Sequence, residues 1–271
     1  MSKTLYVSDL DGTLLQPDAR LSTRTVAMLN EAIAEGKLFT PATARTPATV
    51  ASILASVNTS LPVIVMTGAA LWDPRTGIYS RLRLFKPEDA RRLIDVYIAD
   101  NIPSFVYSLR DNMITIRHIG EMTPLQREFL AERRSSPYKH VEEGGVTREL
   151  DDIILLYSML DNRRGEETYE KTRRLPGVRA QFYHDIYGDK TAILEAFSPE
   201  ATKAKAMRAL AESIGADKIV AFGDNVNDLP MMREADIAVA VDNAIDRVKE
   251  EADIVIGPNT DDSVAKFILD H

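Results

Sequence analysis

The stretch Thr4-Leu5-Tyr6-Val7-Ser8-Asp9-Leu10-Asp11-Gly12-Thr13 decides the fold. Thr4 to Ser8 is a short β-prone run, and two acids and a glycine follow it at once as a loop. Working outward, Ser22 can cap a helix in which Val26, Leu29 and Ile33 keep helical spacing, and Gly36 suits its C-terminal cap. Leu38 to Ala42 reads as a second strand. Pro47 fits the first turn of a helix running to about Val57. Leu61 to Met66 then contains the continuous apolar run Val63-Ile64-Val65. Continuous apolar strands alternating with helices indicate a parallel sheet covered on both faces.

The C-terminal quarter repeats this rhythm. A helix from about Glu200 to Ile214 ends at Gly215. Strand Lys218 to Phe222, the loop Gly223 to Asp228 and a short helix carrying Leu229 and Met232 follow. Strand Asp236 to Val241, a helix from Ala244, strand Ala252 to Ile256 and a helix from Asp261 complete the half. The middle is more polar and mixes β-rich runs (Ser104 to Tyr107, Met113 to His118, Ile153 to Tyr157, Val178 to Tyr183) with helical stretches. Gly144-Gly145 reads as a turn. The expected fold is α/β: a doubly wound, mainly parallel sheet (a Rossmann-like core) built from residues 1–81 and 189–271. An α+β cap domain, residues 82–188, is inserted between the two halves.

Composition narrows the function. The 271 residues carry 33 Lys and Arg against 41 Asp and Glu, a formal charge of −8, the wrong sign for a general nucleic-acid binder. Cysteine is absent, which excludes disulfides, thiolate nucleophiles and Cys-ligated metal sites. No apolar run reaches the ~18 residues of a spanning helix. Leu5 to Val7 is too short for a secretory core of ~7–15 residues. A cytoplasmic protein without membrane or nucleic-acid partners is expected, a monomer or weak homo-oligomer.

The acids carry the chemistry. Asp9 and Asp11 lie just past the first strand, and Asp224 and Asp228 just past the strand ending at Phe222. Ligands of open parallel sheets bind beyond the carboxyl ends of the strands, so adjacent strands would bring these carboxylates together. Crowded carboxylates repel. A divalent cation relieves the conflict, and all-oxygen ligation points to Mg²⁺ beside a substrate phosphate. Asp9 can act as a phosphoryl-accepting nucleophile. Asp11 can protonate the leaving oxygen and later activate water. Gly12 permits a tight turn whose amides face the phosphate. Thr43 and Lys203 can each hold a phosphoryl oxygen.

Together, Asp9 to Thr13 and Gly223 to Asp228 resemble the first and fourth motifs of the haloacid dehalogenase-like hydrolase superfamily. Thr43-Ala44-Arg45 and Lys203 stand where its second and third motifs are expected. The middle segment resembles the larger cap of Cof-type sugar-phosphate phosphatases. The resemblance implies that Asp9 is nucleophile and Mg²⁺ ligand, and that Asp11 is acid/base and gives the metal its backbone carbonyl. Asp224 would ligate Mg²⁺ with Asp228 in support. Thr43, Lys203 and Asn227 would bind the phosphoryl group, with backbone N–H groups near Leu10 and Ala44, and the cap would choose the substrate. Asn225, Ala44, Ala204 and Thr67 depart from the family's usual residues, yet none removes a charge the chemistry needs.

The function expected is a Mg²⁺-dependent phosphatase of small phosphorylated metabolites, sugar phosphates or cofactors, acting through an aspartyl phosphate. Transfer to a second sugar, as in a mutase, uses the same carboxylates, and a non-catalytic phosphate binder is a third reading. A calcium loop fails because Arg20, not Glu, is the twelfth residue from Asp9. No P-loop, dinucleotide or serine-hydrolase motif is present. Arg45 stands between substrate binding and bridging an acid, and Asp261-Asp262 reads as a helix cap.

Overall fold

The computed structural model describes residues 3–146, 151–184 and 190–271. The chain divides into two units, Met1–Arg81 with Thr202–His271, and Leu82–Ala201. The first begins with β1 (Thr4–Ser8), α1 (Thr23–Ala34), β2 (Leu38–Pro41), α2 (Pro47–Ile53) and β3 (Val63–Val65). The hairpin β4 (Ala70–Trp72) and β5 (Tyr79–Ser80) follows. Ser22 caps α1 as the sequence suggests, its Oγ accepting the Thr25 N–H.

The second unit holds α3 (Pro87–Ala99), β6 (Ser104–Arg110), β7 (Met113–Ile119), α4 (Pro124–Ala131) and β8 (Lys139–Gly145). It continues with β9 (Ile153–Asp161), α5 (Asn162–Thr172), β10 (Arg179–Tyr183) and β11 (Thr191–Phe197). These strands form one sheet in the order β10-β11-β9-β6-β7-β8, antiparallel except for the parallel pair β7–β8. Ile94 and Tyr97 of α3 and Tyr169 of α5 pack on one face against Val106, Leu156, Leu194 and Ala196. Phe129 of α4 stacks on Phe105 and Tyr157, which period-2 alternation places on the other face.

The chain then supplies α6 (Lys203–Ile214), β12 (Lys218–Gly223), α7 (Leu229–Glu234), β13 (Ile237–Val241), α8 (Asp246–Glu251), β14 (Ile254–Ile256) and α9 (Ser263–Asp270). The core sheet is all parallel in the order β14-β13-β12-β1-β2. Strand order reverses between β12 and β1, so the crevice for a ligand opens at their carboxyl ends.

Three expectations need correction. The boundary between residues 188 and 189 lies outside the described residues, but β11 beyond it pairs with β9 and β10, so the core resumes at Thr202. β3 joins the parallel sheet through a single bridge, Ala42 to Ile64, and otherwise pairs antiparallel with β4. Gly144-Gly145 is no turn but the end of β8.

Candidate active site

β1 ends at Ser8, whose register partners are Phe222 on β12 and Pro41 on β2. The next residue on each path therefore enters the same crevice. Asp9 donates its backbone N–H to Phe222 O at 3.1 Å, and Ala42 donates to Ser8 O at 2.8 Å. This places Asp9, Asp224 and Thr43 at one sheet end.

Lys203 joins the carboxylates. It is the first residue of α6, and the helix is capped by Thr202, whose Oγ1 accepts the Lys205 N–H. Its buried Nζ donates to Asp9 Oδ1 at 2.5 Å and to Asp228 Oδ1 at 2.8 Å. Lys205, the alternative lysine, is exposed. Asp228 is fully buried, and its Oδ2 accepts the N–H groups of Asp224 (3.3 Å) and Asn225 (3.2 Å). Asp228 thus braces the loop rather than presenting free oxygens. Thr13 Oγ1 donates to Asp224 Oδ1 at 2.8 Å. Carboxylate oxygens of Asp9, Asp224 and Asp228 lie within 4.8 Å of one another.

Electrostatics follow from this crowding. Burial first, then the Asp228 charge, pushes Asp9 up to about 8 against the pull of Lys203. Burial also pushes Asp224 up to about 6, opposed by Thr13 and aided by Asp228. Burial alone would lower Lys203, but the Asp228 and Asp9 carboxylates outweigh it and hold the ammonium above the ordinary lysine range. Three carboxylates around one ammonium carry two negative charges in excess when ionised. A divalent cation fits that deficit, and hard carboxylate oxygens suit Mg²⁺.

Asp11 turns elsewhere. Its carboxylate lies outside the cluster and accepts from one edge of Arg45, from Nε at 2.8 Å and from Nη2 at 2.5 Å. Arg45 thus bridges an acid, and that acid is one of the site's own residues. Thr43 is buried, its Oγ1 accepting the Arg45 N–H at 3.1 Å. Leu10 is buried and Ala44 half-buried on the two loops. Asn227 is half-buried between Val226 and Asp228 and makes no side-chain hydrogen bond to the cluster among the described residues.

Glycine is required at two points. A Cβ on Gly12, at φ +80°, would sit 2.4 Å from Asp224 Oδ2. One on Gly68, at φ +91°, would sit 2.2 Å from Thr202 O, so the loop after β3 lies flush against the start of α6. Met66 and Thr67 share the left-handed backbone, at φ 50° and 55°, and the buried Thr67 Oγ1 has no hydrogen-bond partner among the described residues.

Sequence reasoning missed Asn243. It follows β13, and its Nδ2 donates to Gly12 O at 2.7 Å while its Oδ1 accepts the Asn259 N–H. Its position past a strand's carboxyl end was the available signal.

Comparison with known proteins adds identity to this geometry. The chain is 24% identical over 271 residues to the 5-amino-6-(5-phospho-D-ribitylamino)uracil phosphatase YitU of Bacillus subtilis, covering 98% of this chain and 97% of that one. It is 25% identical over 282 residues to the pyridoxal phosphate phosphatase YbhA of Escherichia coli, covering 100% and 99%. A crystal structure from Thermotoga maritima superposes with a TM-score of 0.79 at 26% identity, over 100% of this chain and 98% of that one. Residues 6–268 match the profile of one family, and the chain belongs to it: the haloacid dehalogenase-like hydrolases.

Proposed function

We propose that the protein is a Mg²⁺-dependent phosphatase of small phosphorylated metabolites and that Asp9 is its nucleophile. The observation that carries this reading is the ion-paired cluster at the switch point, in which Lys203 holds one oxygen of Asp9 and leaves the other to act. The relatives named for ribitylaminouracil phosphate and pyridoxal phosphate support a small phosphomonoester as substrate.

Asp9, Asp224 and the Asp11 carbonyl would hold Mg²⁺, with Asp228 bracing the loop. Bound there, the cation neutralises charge on the phosphoryl oxygens. The residues divide the remaining work. The free Asp9 oxygen attacks phosphorus in line, and the ester P–O bond breaks. Asp11 gives its proton to the departing alkoxide and then takes one from water, which cleaves the aspartyl phosphate. Thr43, Lys203, Asn227 and the amides near Leu10 and Ala44 hold the phosphoryl oxygens.

Asp9→Asn keeps the shape and removes the nucleophilic charge. It is expected to cut hydrolysis of p-nitrophenyl phosphate in Mg²⁺ by more than about 10³-fold. Activity within tenfold of the parent, about 1.4 kcal/mol, would reject Asp9 as the nucleophile.

A further inference from the structure

The two acidic loops carry charges that repel, yet they are pressed together. A Cβ on Gly12 would collide with the Asp224 carboxylate, and Thr13 Oγ1 bonds Asp224 Oδ1 at 2.8 Å. Without a cation between them, like charges push such loops apart. Something uncharged must hold the span, and the segment between β13 and α8 grips both loops at once. Asn243 Nδ2 donates to Gly12 O at 2.7 Å, and the Ile245 N–H donates to Asp224 O at 3.0 Å.

This segment is itself anchored. The Ala244 N–H bonds Val241 O at 2.9 Å and closes a tight turn, and Lys249 Nζ donates to Asp242 O at 2.8 Å. Asn243 Oδ1 accepts the Asn259 N–H at 2.9 Å, and the buried Asn259 side chain donates from Nδ2 to Leu15 O at 2.7 Å. The two asparagines therefore hold the first acidic loop at two carbonyls, Gly12 O and Leu15 O. That loop is also closed on itself, because the Leu15 N–H bonds Leu10 O at 2.8 Å. Asn243 is exposed, so water could serve its amide, but both ends of it bond protein backbone instead. An amide suits the position because it donates to one loop and accepts from the other without adding charge.

We propose that the segment from Asp242 to Ile245 sets the span between the two acidic loops, and that Asn243 is the positioning residue that holds the Asp11–Gly12 turn against Asp224 for the divalent cation. Asn243 touches neither substrate nor phosphoryl group in this role. It spares the cation the work of drawing the loops together. The inference rests on the metal-dependent reading of the acid cluster.

The test measures binding of Mn²⁺ alone, read from the paramagnetic resonance of the free ion and displaced by Mg²⁺. Asn243→Asp is the decisive variant. It keeps the acceptor for Asn259, loses the donor to Gly12 and adds a carboxylate beside the acidic loops. Charge alone would tighten cation binding, whereas loss of positioning weakens it. Asn243→Asp and Asn243→Ala should each raise the Kd about tenfold, and the Mg²⁺ needed for half-maximal hydrolysis of p-nitrophenyl phosphate should rise by the same factor. Ile245→Pro removes the N–H to Asp224 at a backbone φ of −62° that proline accepts, and it should weaken binding likewise. Asn30→Ala is the matched control. Asn30 makes the same two-ended bridge, to Ser56 O at 2.9 Å and from the Asn58 N–H at 2.7 Å, in the segment leading into β3. Its loss should leave the Kd within about twofold.

Asn243→Asp binding Mn²⁺ as tightly as the parent or more tightly, or Asn30→Ala weakening it equally, overturns the inference, as does a parent that binds no Mn²⁺. The phosphatase reading is judged separately. If the parent binds Mn²⁺, the Asn243 variants bind it weakly and no ester is hydrolysed, the phosphatase reading fails and the positioning role stands. If the ester is hydrolysed and all variants bind alike, only the positioning role is rejected. Ile245→Pro carries the test should the Asn243 variants not fold.

Discussion

Two carboxylates on one loop, Asp9 and Asp11, meet different cations. Asp9 faces a buried ammonium, whereas Asp11 takes a half-exposed guanidinium with two parallel hydrogen bonds. Bidentate pairing fixes the orientation of a planar group in a way a lysine cannot copy. On the proposed mechanism, Arg45 would orient the Asp11 carboxyl for its proton transfers. Arg45→Ala should lower kcat about tenfold or more, Arg45→Lys should recover only part of it, and neither should lower the melting temperature by more than about 2 °C, because exposed pairs contribute little to stability. An unchanged kcat in Arg45→Ala would remove this role. The aspartates were legible in the sequence because phosphoryl chemistry needs acids at strand ends and the strands were readable. The Arg45 pairing was not, since which acid it meets depends on the adjacency of β1 and β2. The left-handed backbone at Thr67 was hidden for a different reason: a β-branched residue at positive φ is held by its surroundings, not by its own preference.

At the scale of elements, one aspartate ties the first and last helices of the core. Asp262 precedes α9 at φ 58°, and its Oδ1 accepts from Ser22 Oγ (2.6 Å), Thr25 Oγ1 (2.8 Å) and Gln16 Nε2 (3.2 Å). Asp262 does stand at the N-cap of α9, as read from the sequence, but its side chain makes no cap bond and instead ties the end of the chain to its beginning. Asp262→Ala leaves the buried Thr25 hydroxyl unmet and puts a β-carbon-bearing residue without local hydrogen bonding at positive φ. It should cost about 2–4 kcal/mol in urea unfolding, and a change below about 1 kcal/mol would show that the tie is slack. The same scale explains the unread strands. Thr191 to Phe197 is buried along its whole length, so it lacks the alternation that marks a half-exposed strand. β8 ends in Gly144-Gly145, a pair that favours turns, yet Gly145 pairs in parallel register with His118 of β7.

At the scale of the whole molecule, the acid cluster and two other buried ionisable groups, Glu195 and Lys139, sit in different units of the chain. Glu195 and Lys139 both belong to residues 82–201. Burial first, then Arg133, lowers Lys139 from 10.5 to about 7, and its Nζ lies 5.3 Å from the Tyr107 ring. Burial raises Glu195 from 4.5 to about 8. The two act on stability with opposite signs. Folding favours the proton on Glu195, so this contribution is complete below 4.5 and is lost as pH rises through about 8. Folding disfavours the proton on Lys139, so that contribution is complete above 10.5 and is lost as pH falls through about 7. Near neutrality the two slopes oppose each other, and single variants uncover each one. Relative to the parent, Glu195→Gln should gain stability between about pH 5 and about pH 9, and Lys139→Met should gain between about pH 10 and about pH 6. Amide exchange in β9, corrected for its intrinsic rate, reads both in the intact chain, since β9 is central to the sheet these side chains occupy. Variant and parent slopes that run parallel would mean that neither group changes its proton affinity on folding. The core strand β1 supplies the internal reference, because neither substitution lies in its unit.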